Sequence, residues 1–167
     1  MGGDGPGNAR RPATGGRQLT AIEGVQVVPL ERIADERGAV LHMLRETDRH
    51  FTRFGEIYFS TVYSGAVKAW KNHRRLTANY ACVHGRIKVV LYDDRPGSPS
   101  AGKVMEVVVG PEEHALVVIP PGIWHGFQGI AEPVSVLANC STEPHDPGEL
   151  ERLESHDDRI PYSWPER

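Results

Sequence analysis

The sequence predicts an all-β protein, and three observations lead to that prediction. The apolar residues fall into short runs of strand length, most of them β-branched or aromatic in character. Gly, Pro, Asp or Ser separates one run from the next, which is typical of a β-sandwich or a β-barrel. Segment 119–127 adds a Pro-Pro-Gly corner, where proline ends a sheet ladder and glycine tolerates a positive φ. Together these features favour a small β-barrel.

The individual strands follow from the same pattern. Strands are predicted at 25–28, 39–44, 57–63, 78–83, 87–92, 104–109, 115–119 and 134–137. The residues after the Pro-Pro-Gly corner are expected to begin a further strand, and residues 68–73 to alternate as a strand. Helical periodicity is weak and confined to 147–153, where Asp146-Pro147 can open a short C-terminal helical segment.

Length and composition predict one domain. A chain of 167 residues is long enough for a single compact core, which we place at 21–167, after a Gly-rich tail at 1–20 that we expect to be disordered. The net charge of −3 argues against nucleic acid as a partner. No apolar run approaches the roughly 20 residues of a membrane span, and residues 1–17 lack the apolar segment of a secretory signal. We therefore expect a cytoplasmic protein without a membrane partner.

The corner segment also carries a motif. Pro120, Gly122 and His125 spell P-x-G-x-x-H, the second half of the cupin signature. The implied fold is a jelly-roll barrel (a double-stranded β-helix) with His125 near its mouth, where small ligands bind. In the first half of the signature, Lys71 takes the first histidine position and His73 the second. Two imidazoles and an ammonium are poor ligands for a divalent metal, so we expect neither a metal nor a cofactor.

Five segments, in order, resemble the dTDP-4-dehydrorhamnose 3,5-epimerase family, and the resemblance covers about 30–164. These segments are Asp35-Glu36-Arg37-Gly38, Tyr92-Asp93-Asp94-Arg95 with Ser98-Pro99-Ser100-Ala101-Gly102, Ile119-Pro120-Pro121-Gly122, His125-Gly126-Phe127, and 157–164. The resemblance implies a homodimer acting on a nucleotide-diphosphate sugar. It also implies proton abstraction beside a 4-keto group, by a histidine base held by an aspartate, with a tyrosine as acid.

The resemblance also assigns roles to catalytic positions. The family motif R-G-x-H-x-Q corresponds to 68–73, so Lys71 stands where the base histidine would be and His73 where the glutamine would be. Asp157 corresponds to the aspartate that orients the base. Counting from His125 places Ala138 at the tyrosine, which leaves Tyr63, Tyr80 and Tyr92 as candidate acids from other strands. The expected catalytic residues are Lys71, His73 and Asp157.

The expected substrate-binding residues are Arg37, Lys68 and His125. Arg37 stands in an arginine position near the nucleotide sugar, and Lys68 keeps the charge of a phosphate-binding arginine. Some of the expected site residues have structural alternatives. Lys71 is alternatively a lysine at the barrel rim with its ammonium in water, and His73 a core histidine. Arg37 and Asp157 are alternatively members of surface ion pairs.

Two functions from different classes remain open at this point. One is an epimerase or ketoisomerase for a nucleotide-linked 4-keto-6-deoxy sugar, with Lys71 and His73 replacing the usual base. The other is a catalytically inactive cupin that binds a nucleotide sugar as a scaffold or sensor. A metal-dependent cupin enzyme is a third class, disfavoured because the ligands are too few.

Overall fold

The computed structural model describes residues 21–165, so the predicted disordered tail at 1–20 lies outside the described residues. Within that range the chain consists of strands, turns and irregular loops, with a single 3₁₀ turn as its helical element. The strands are β1 (Gln26–Pro29), β2 (Arg32–Asp35), β3 (Gly38–Leu41), β4 (Glu56–Tyr63), β5 (Val67–His73), β6 (Ala78–His84), β7 (Ile87–Asp93), β8 (Val104–Val109), β9 (Ala115–Ile119), β10 (Ile123–Gly129), β11 (Val134–Ser141) and β12 (Leu150–Arg152). Every predicted strand is present, and β2 and β12 are additional.

The strands form two five-stranded sheets and a separate hairpin. The first sheet has the order β1-β9-β6-β11-β4, and the second has the order β12-β5-β10-β7-β8. Strands β2 and β3 pair only with each other. Every one of these strand pairings is antiparallel. The predicted all-β jelly-roll barrel is confirmed.

The main core takes side chains from both sheets. In β7, Ile87, Val89 and Leu91 are fully buried in this core, while Val90 between them belongs to a different cluster. This is the two-residue period of a strand with both faces covered. Each such aliphatic side chain contributes about 1.5–3 kcal/mol when it is removed from water. The barrel interior is therefore packed around the polar groups described below.

The outer faces of the sheets are covered as well. On the second sheet, Trp70, Val90 and Trp124 pack with Ile160 and with aromatic residues near the C-terminus. The Trp70 indole N–H donates to the backbone carbonyl of Ser155 over 3.2 Å. The C-terminal segment thus covers the back of β5 and leaves the inward side of that strand for other contacts.

The predicted C-terminal helical segment at 147–153 is wrong. Only Pro147–Glu149 is helical, as a single 3₁₀ turn, and the next three residues form β12. The Asp146 side chain accepts from the Gly148 N–H, which caps the turn. Leu150–Arg152 then pair with β5. Sheet pairing therefore takes up the backbone groups that a longer helix would need.

The Pro-Pro-Gly corner joins β9 to β10 as predicted. Gly122 has φ +84°, a conformation that few other residues adopt, and its N–H donates to the backbone carbonyl of His73 over 2.8 Å. The corner is thereby fixed to the end of β5. Among the described residues there is no helix with the length and apolar character needed to cross a bilayer.

Candidate active site

A cavity of about 310 Å³ opens between the two sheets at one end of the barrel. We call it the His73 cavity. It is lined by residues from β4, β5, β12 and the chain before the 3₁₀ turn. These residues are Glu56, Tyr58, Lys71, His73, His145, Leu150 and Arg152. Two of the expected catalytic residues, Lys71 and His73, therefore lie together.

The pairing of β5 with β10 explains which β5 side chains face inward. Lys71 pairs with His125, but Lys68 pairs with Phe127, so three residue steps on β5 match two on β10. This extra residue is a β-bulge, which resets the alternation. Lys68 and Lys71 consequently share the inward face, and the Lys68 ammonium donates to the Ser60 hydroxyl of β4 over 2.9 Å.

Close approach of the two backbones makes the irregular pairing possible. Gly126 lies opposite the bulge, where a Cβ atom would collide with the Cβ of Ala69 and would stand 3.1 Å from the Lys68 carbonyl oxygen. A glycine at this point therefore lets β5 and β10 pair across the irregularity. This arrangement aims the lysines of β5 into the barrel.

His73 is held by a carboxylate that the sequence did not suggest. Its Nδ1 lies 2.5 Å from Oε1 of Glu149, which is 2% exposed. The other carboxylate oxygen accepts from the backbone N–H groups of Arg74, Arg75 and Leu76 over 3.1, 3.0 and 3.3 Å. These bonds fix the carboxylate, and the carboxylate fixes the imidazole.

The protonation states of this pair follow from its surroundings. Burial alone would raise the pKa of Glu149, but hydrogen bonds from His73 and the backbone hold that pKa below its usual range. Burial lowers the pKa of His73 despite Glu149, and nearby Lys71 and Arg152 lower it further. We therefore assign an anionic Glu149 and a neutral His73 that donates from Nδ1. The Nε2 of His73 then carries a lone pair.

His125 is a second neutral imidazole, stacked on the first. It is 1% exposed, and its ring lies 5.6 Å from the His73 ring with an interplanar angle of 21°. Burial, with smaller effects of His73 and Lys71, lowers the His125 pKa to about 3. Its Nδ1 donates to the Ile123 carbonyl over 3.0 Å, so its Nε2 must be an acceptor. That Nε2 has no hydrogen-bond partner among the described residues.

Cationic groups surround the two imidazoles. Burial chiefly lowers the pKa of Lys71, and Arg152 and Lys68 lower it further. Lys68, Lys71 and Arg152 also line a neighbouring cavity of about 580 Å³, together with Arg159 and two acidic residues. We call this second space the cationic cavity. Its four positive side chains suit an anionic ligand such as a diphosphate.

Two predicted site residues lie apart from the imidazoles. Asp157 lines the cationic cavity, but its carboxylate binds Arg159 over 2.9 Å. Arg37 lies on the β2–β3 hairpin, where its side chain is 82% exposed and pairs with Asp35. Neither residue lines the His73 cavity. The carboxylate that orients His73 is Glu149.

The three tyrosines that the sequence offered as acids lie away from the His73 cavity. Tyr63 is 72% exposed. Tyr92 packs with the cluster that contains Trp70. Tyr80 is buried beside His125, and burial raises the pKa of its phenol far above the usual range. None of these three lines the His73 cavity, whereas Tyr58 does.

Comparison with known proteins identifies the family. A family model described as dTDP-4-dehydrorhamnose 3,5-epimerase matches residues 19–167. The probable low-salt glycan biosynthesis epimerase Agl13 of Haloferax volcanii is 38% identical over 145 residues, covering 84% of this chain and 88% of that protein.

Solved structures agree with the fold. The crystal structure of a dTDP sugar isomerase from Desulfovibrio desulfuricans G20 matches with a TM-score of 0.84 and 43% identity, covering 89% of this chain and 95% of the other. The fold is also similar to that of the dTDP-6-deoxy-D-glucose-3,5-epimerase from Legionella pneumophila Philadelphia 1, solved with dTDP-4-keto-L-rhamnose. That match has a TM-score of 0.78 and 22% identity, and covers 90% of this chain and 84% of the other. The chain therefore belongs to the dTDP-4-dehydrorhamnose 3,5-epimerase family.

Proposed function

We propose that this protein epimerises a nucleotide-diphosphate-linked 4-keto-6-deoxy sugar by removing a proton from a carbon beside the ketone. The observation that carries this proposal is the buried His73–Glu149 pair at a cavity flanked by cationic side chains. A neutral imidazole with a fixed Nδ1–H presents Nε2 as a base. Such an arrangement serves proton abstraction from carbon.

His73 is the base in this mechanism. Removal of the proton leaves an enolate, whose oxygen carries negative charge. The ammonium of Lys71 lies in the same cavity and stabilises that charge. Because its pKa is lowered, Lys71 is also the second candidate for the base. Separate variants of the two residues distinguish these roles.

Substrate binding is proposed to use the cationic cavity. Lys68, Arg152 and Arg159 offer donors for diphosphate oxygens. His125 is 1% exposed and lines neither cavity, so its proposed role is to pack against the His73 ring rather than to contact the sugar directly. The structure solved with dTDP-4-keto-L-rhamnose supports a thymidine-linked sugar as the first ligand to test. Neither nucleic acid nor a membrane is proposed as a partner.

The protein is proposed to act as a homodimer. Ile57, Phe59 and Tyr63 of β4 are exposed, and so are Ile33 and Val40 of the hairpin. Exposed apolar side chains in such number favour an interface. Arg37 lies outside both cavities of its own protomer, so contact between Arg37 and substrate requires that the hairpin reach the site of a second protomer. A cytoplasmic location and a role in making deoxysugar precursors such as dTDP-rhamnose complete the proposal.

Solvent exchange tests the reaction. The protein is incubated with dTDP-4-keto-6-deoxyglucose in deuterium oxide, and NMR follows deuterium at C3 and C5. We expect exchange in the wild type and a loss of roughly 10²–10⁴-fold in His73→Asn. A comparable loss of exchange in Lys71→Met, with normal rates in His73→Asn, would instead assign the base to Lys71.

A binding measurement distinguishes the proposed enzyme from the alternative, a catalytically inactive cupin that binds a nucleotide sugar. Calorimetry with dTDP measures occupancy independently of chemistry. If the wild type binds dTDP and the sugar nucleotide but exchanges no proton, the inactive binding protein is the better description. Without binding at millimolar ligand, the nucleotide-sugar proposal is wrong.

A further inference from the structure

Tyr58 places a phenol on the opposite side of the His73 cavity from the base. It lies on β4, in the first sheet, whereas His73 lies on β5, in the second. Tyr58 shares a strand face with Val62, which is part of the main core, so its ring points to the barrel interior. Tyr58 is 37% exposed, and both Tyr58 and His73 line the cavity.

A chain of hydrogen bonds fixes the direction of the Tyr58 proton. The Asn79 backbone N–H, which can only donate, lies 3.0 Å from Oδ1 of Asn139. The amide of Asn139 is therefore oriented with its nitrogen toward Tyr58, where Nδ2 donates to the phenol oxygen over 3.0 Å. Because that oxygen accepts, the phenol proton is not used in this bond and can be given to another group.

Asn139 is 1% exposed and acts as a rigid support. Its oxygen is held by Asn79, and its nitrogen points at the atom where negative charge develops when the phenol loses its proton. Preorganised donors of this kind stabilise a developing anion without reorganisation. The pairing Asn139↔Tyr58 in the β4–β11 ladder keeps the two side chains adjacent.

Ala138, which stands at the position of the family's tyrosine, could not hold an acid that reaches the cavity. Ala138 pairs with Phe59 on one side and with Ala81 on the other. Ala81 belongs to the cluster on the outer face of the first sheet, and Phe59 is exposed. Even a tyrosine at 138 would therefore point away from the barrel interior. The neighbouring residue, Asn139, points inward and meets Tyr58.

We propose that Tyr58 is the acid that protonates the enolate on the face opposite His73. This assignment rests on the proposed epimerisation. His73 Nε2 takes the proton, and the electrons of the broken C–H bond form the enolate. The Tyr58 O–H then gives its proton to the same carbon, which forms the new C–H bond and leaves a phenolate. The phenolate regains a proton from water and the imidazolium loses its proton to water, so the cycle balances.

Tyr58→Phe removes the hydroxyl and keeps the ring. With dTDP-4-keto-6-deoxyglucose in deuterium oxide, we expect this variant to retain exchange within a few fold, because His73 still removes the proton and returns deuterium to the same face. Inversion should fall by roughly 10²–10⁴-fold. Tyr63→Phe is the matched control, since it changes the same atom on the outward, exposed part of β4. It should invert at the wild-type rate.

The outcomes are distinct. If the wild type inverts and Tyr58→Phe inverts as fast, the assignment of Tyr58 is wrong while the proposed function stands. If the wild type neither exchanges the sugar protons nor inverts a carbon, the proposed function is wrong, and so is the assignment of Tyr58 as the acid. The melting temperature and dTDP affinity of Tyr58→Phe check its fold. If Tyr58→Phe keeps the wild-type melting temperature and dTDP affinity and loses only inversion, the proposal is supported.

Discussion

At the scale of single residues, the central feature is the bond between His73 and Glu149. The carboxylate binds three backbone N–H groups through one oxygen and the imidazole through the other. It therefore decides which nitrogen of His73 carries the proton. A base for carbon acids depends on that choice as much as on its position.

Glu149→Gln tests the orienting role. The amide oxygen should take the three backbone donors, which turns the NH₂ group toward Nδ1 of His73 and moves the imidazole proton to Nε2. We expect deuterium exchange to fall by roughly 10²–10⁴-fold, as when a positioned base is lost, with little change in dTDP affinity. Calorimetry and NMR measure the two effects.

Glu151→Gln is the matched control for this change. Glu151 lies two residues further on, is half-exposed and binds Arg74. Its variant should exchange at the wild-type rate. Equal rates in both variants would show that Glu149 does not set the tautomer of His73.

At the scale of elements, β4 has two different faces. Its inward residues line the His73 cavity and the core, while Phe59 on its outward face is 63% exposed. The strand also lies at the edge of the first sheet, so its second edge has no neighbour in that sheet. An exposed apolar edge strand favours association.

Phe59→Glu should convert the proposed dimer into a monomer, because a carboxylate in a closed apolar interface loses its hydration. Sedimentation or light scattering measures the mass. Val108→Glu is the control, since Val108 is exposed on β8, the edge strand of the other sheet. A wild type that is already monomeric would contradict the proposed assembly.

At the scale of the whole molecule, the barrel encloses a histidine that it keeps neutral. The pKa of His125 is lowered to about 3, chiefly by burial, while the unfolded chain titrates this group near 6.5. Between these values the unfolded state binds more protons than the folded state. The stability that depends on a neutral His125 is therefore present above pH 6.5 and is lost as pH falls.

The free energy of unfolding should accordingly fall as pH drops below 6.5, with a His125 contribution that steepens toward about 1.4 kcal/mol per pH unit as the unfolded histidine becomes fully protonated. Denaturant titrations between that pH and about 5 measure the slope before most carboxylates titrate. His125→Gln should make the slope shallower. His156→Gln, at an exposed position, should leave it unchanged. An unaltered slope in His125→Gln would show that this imidazole is accessible to protons in the folded protein.

Much of the fold could be predicted because strand alternation and turn residues are local signals. The Pro-Pro-Gly corner and the inward placement of Lys71 and His73 were both visible in the sequence. Glu149 was not, since it lies 76 residues from His73 and acts only after β12 pairs with β5. Tyr58 could not be predicted as the acid for a similar reason. A residue count along β11 does not reveal that β4, which carries Tyr58, lies beside it.

The stacked imidazoles limit how much charge the site can store. Each ring already commits its Nδ1 proton to a fixed acceptor, and only His73 has a carboxylate counterion. A proton on His73 would repel a second proton from His125, whose pKa His73 already lowers. In the proposed mechanism the pair therefore holds one proton at a time, and His73 must release that proton, to water when the carbon is inverted, before it can remove another. A sugar inverted at two carbons would be processed one carbon at a time, and His73 would lose its proton to solvent between the two steps.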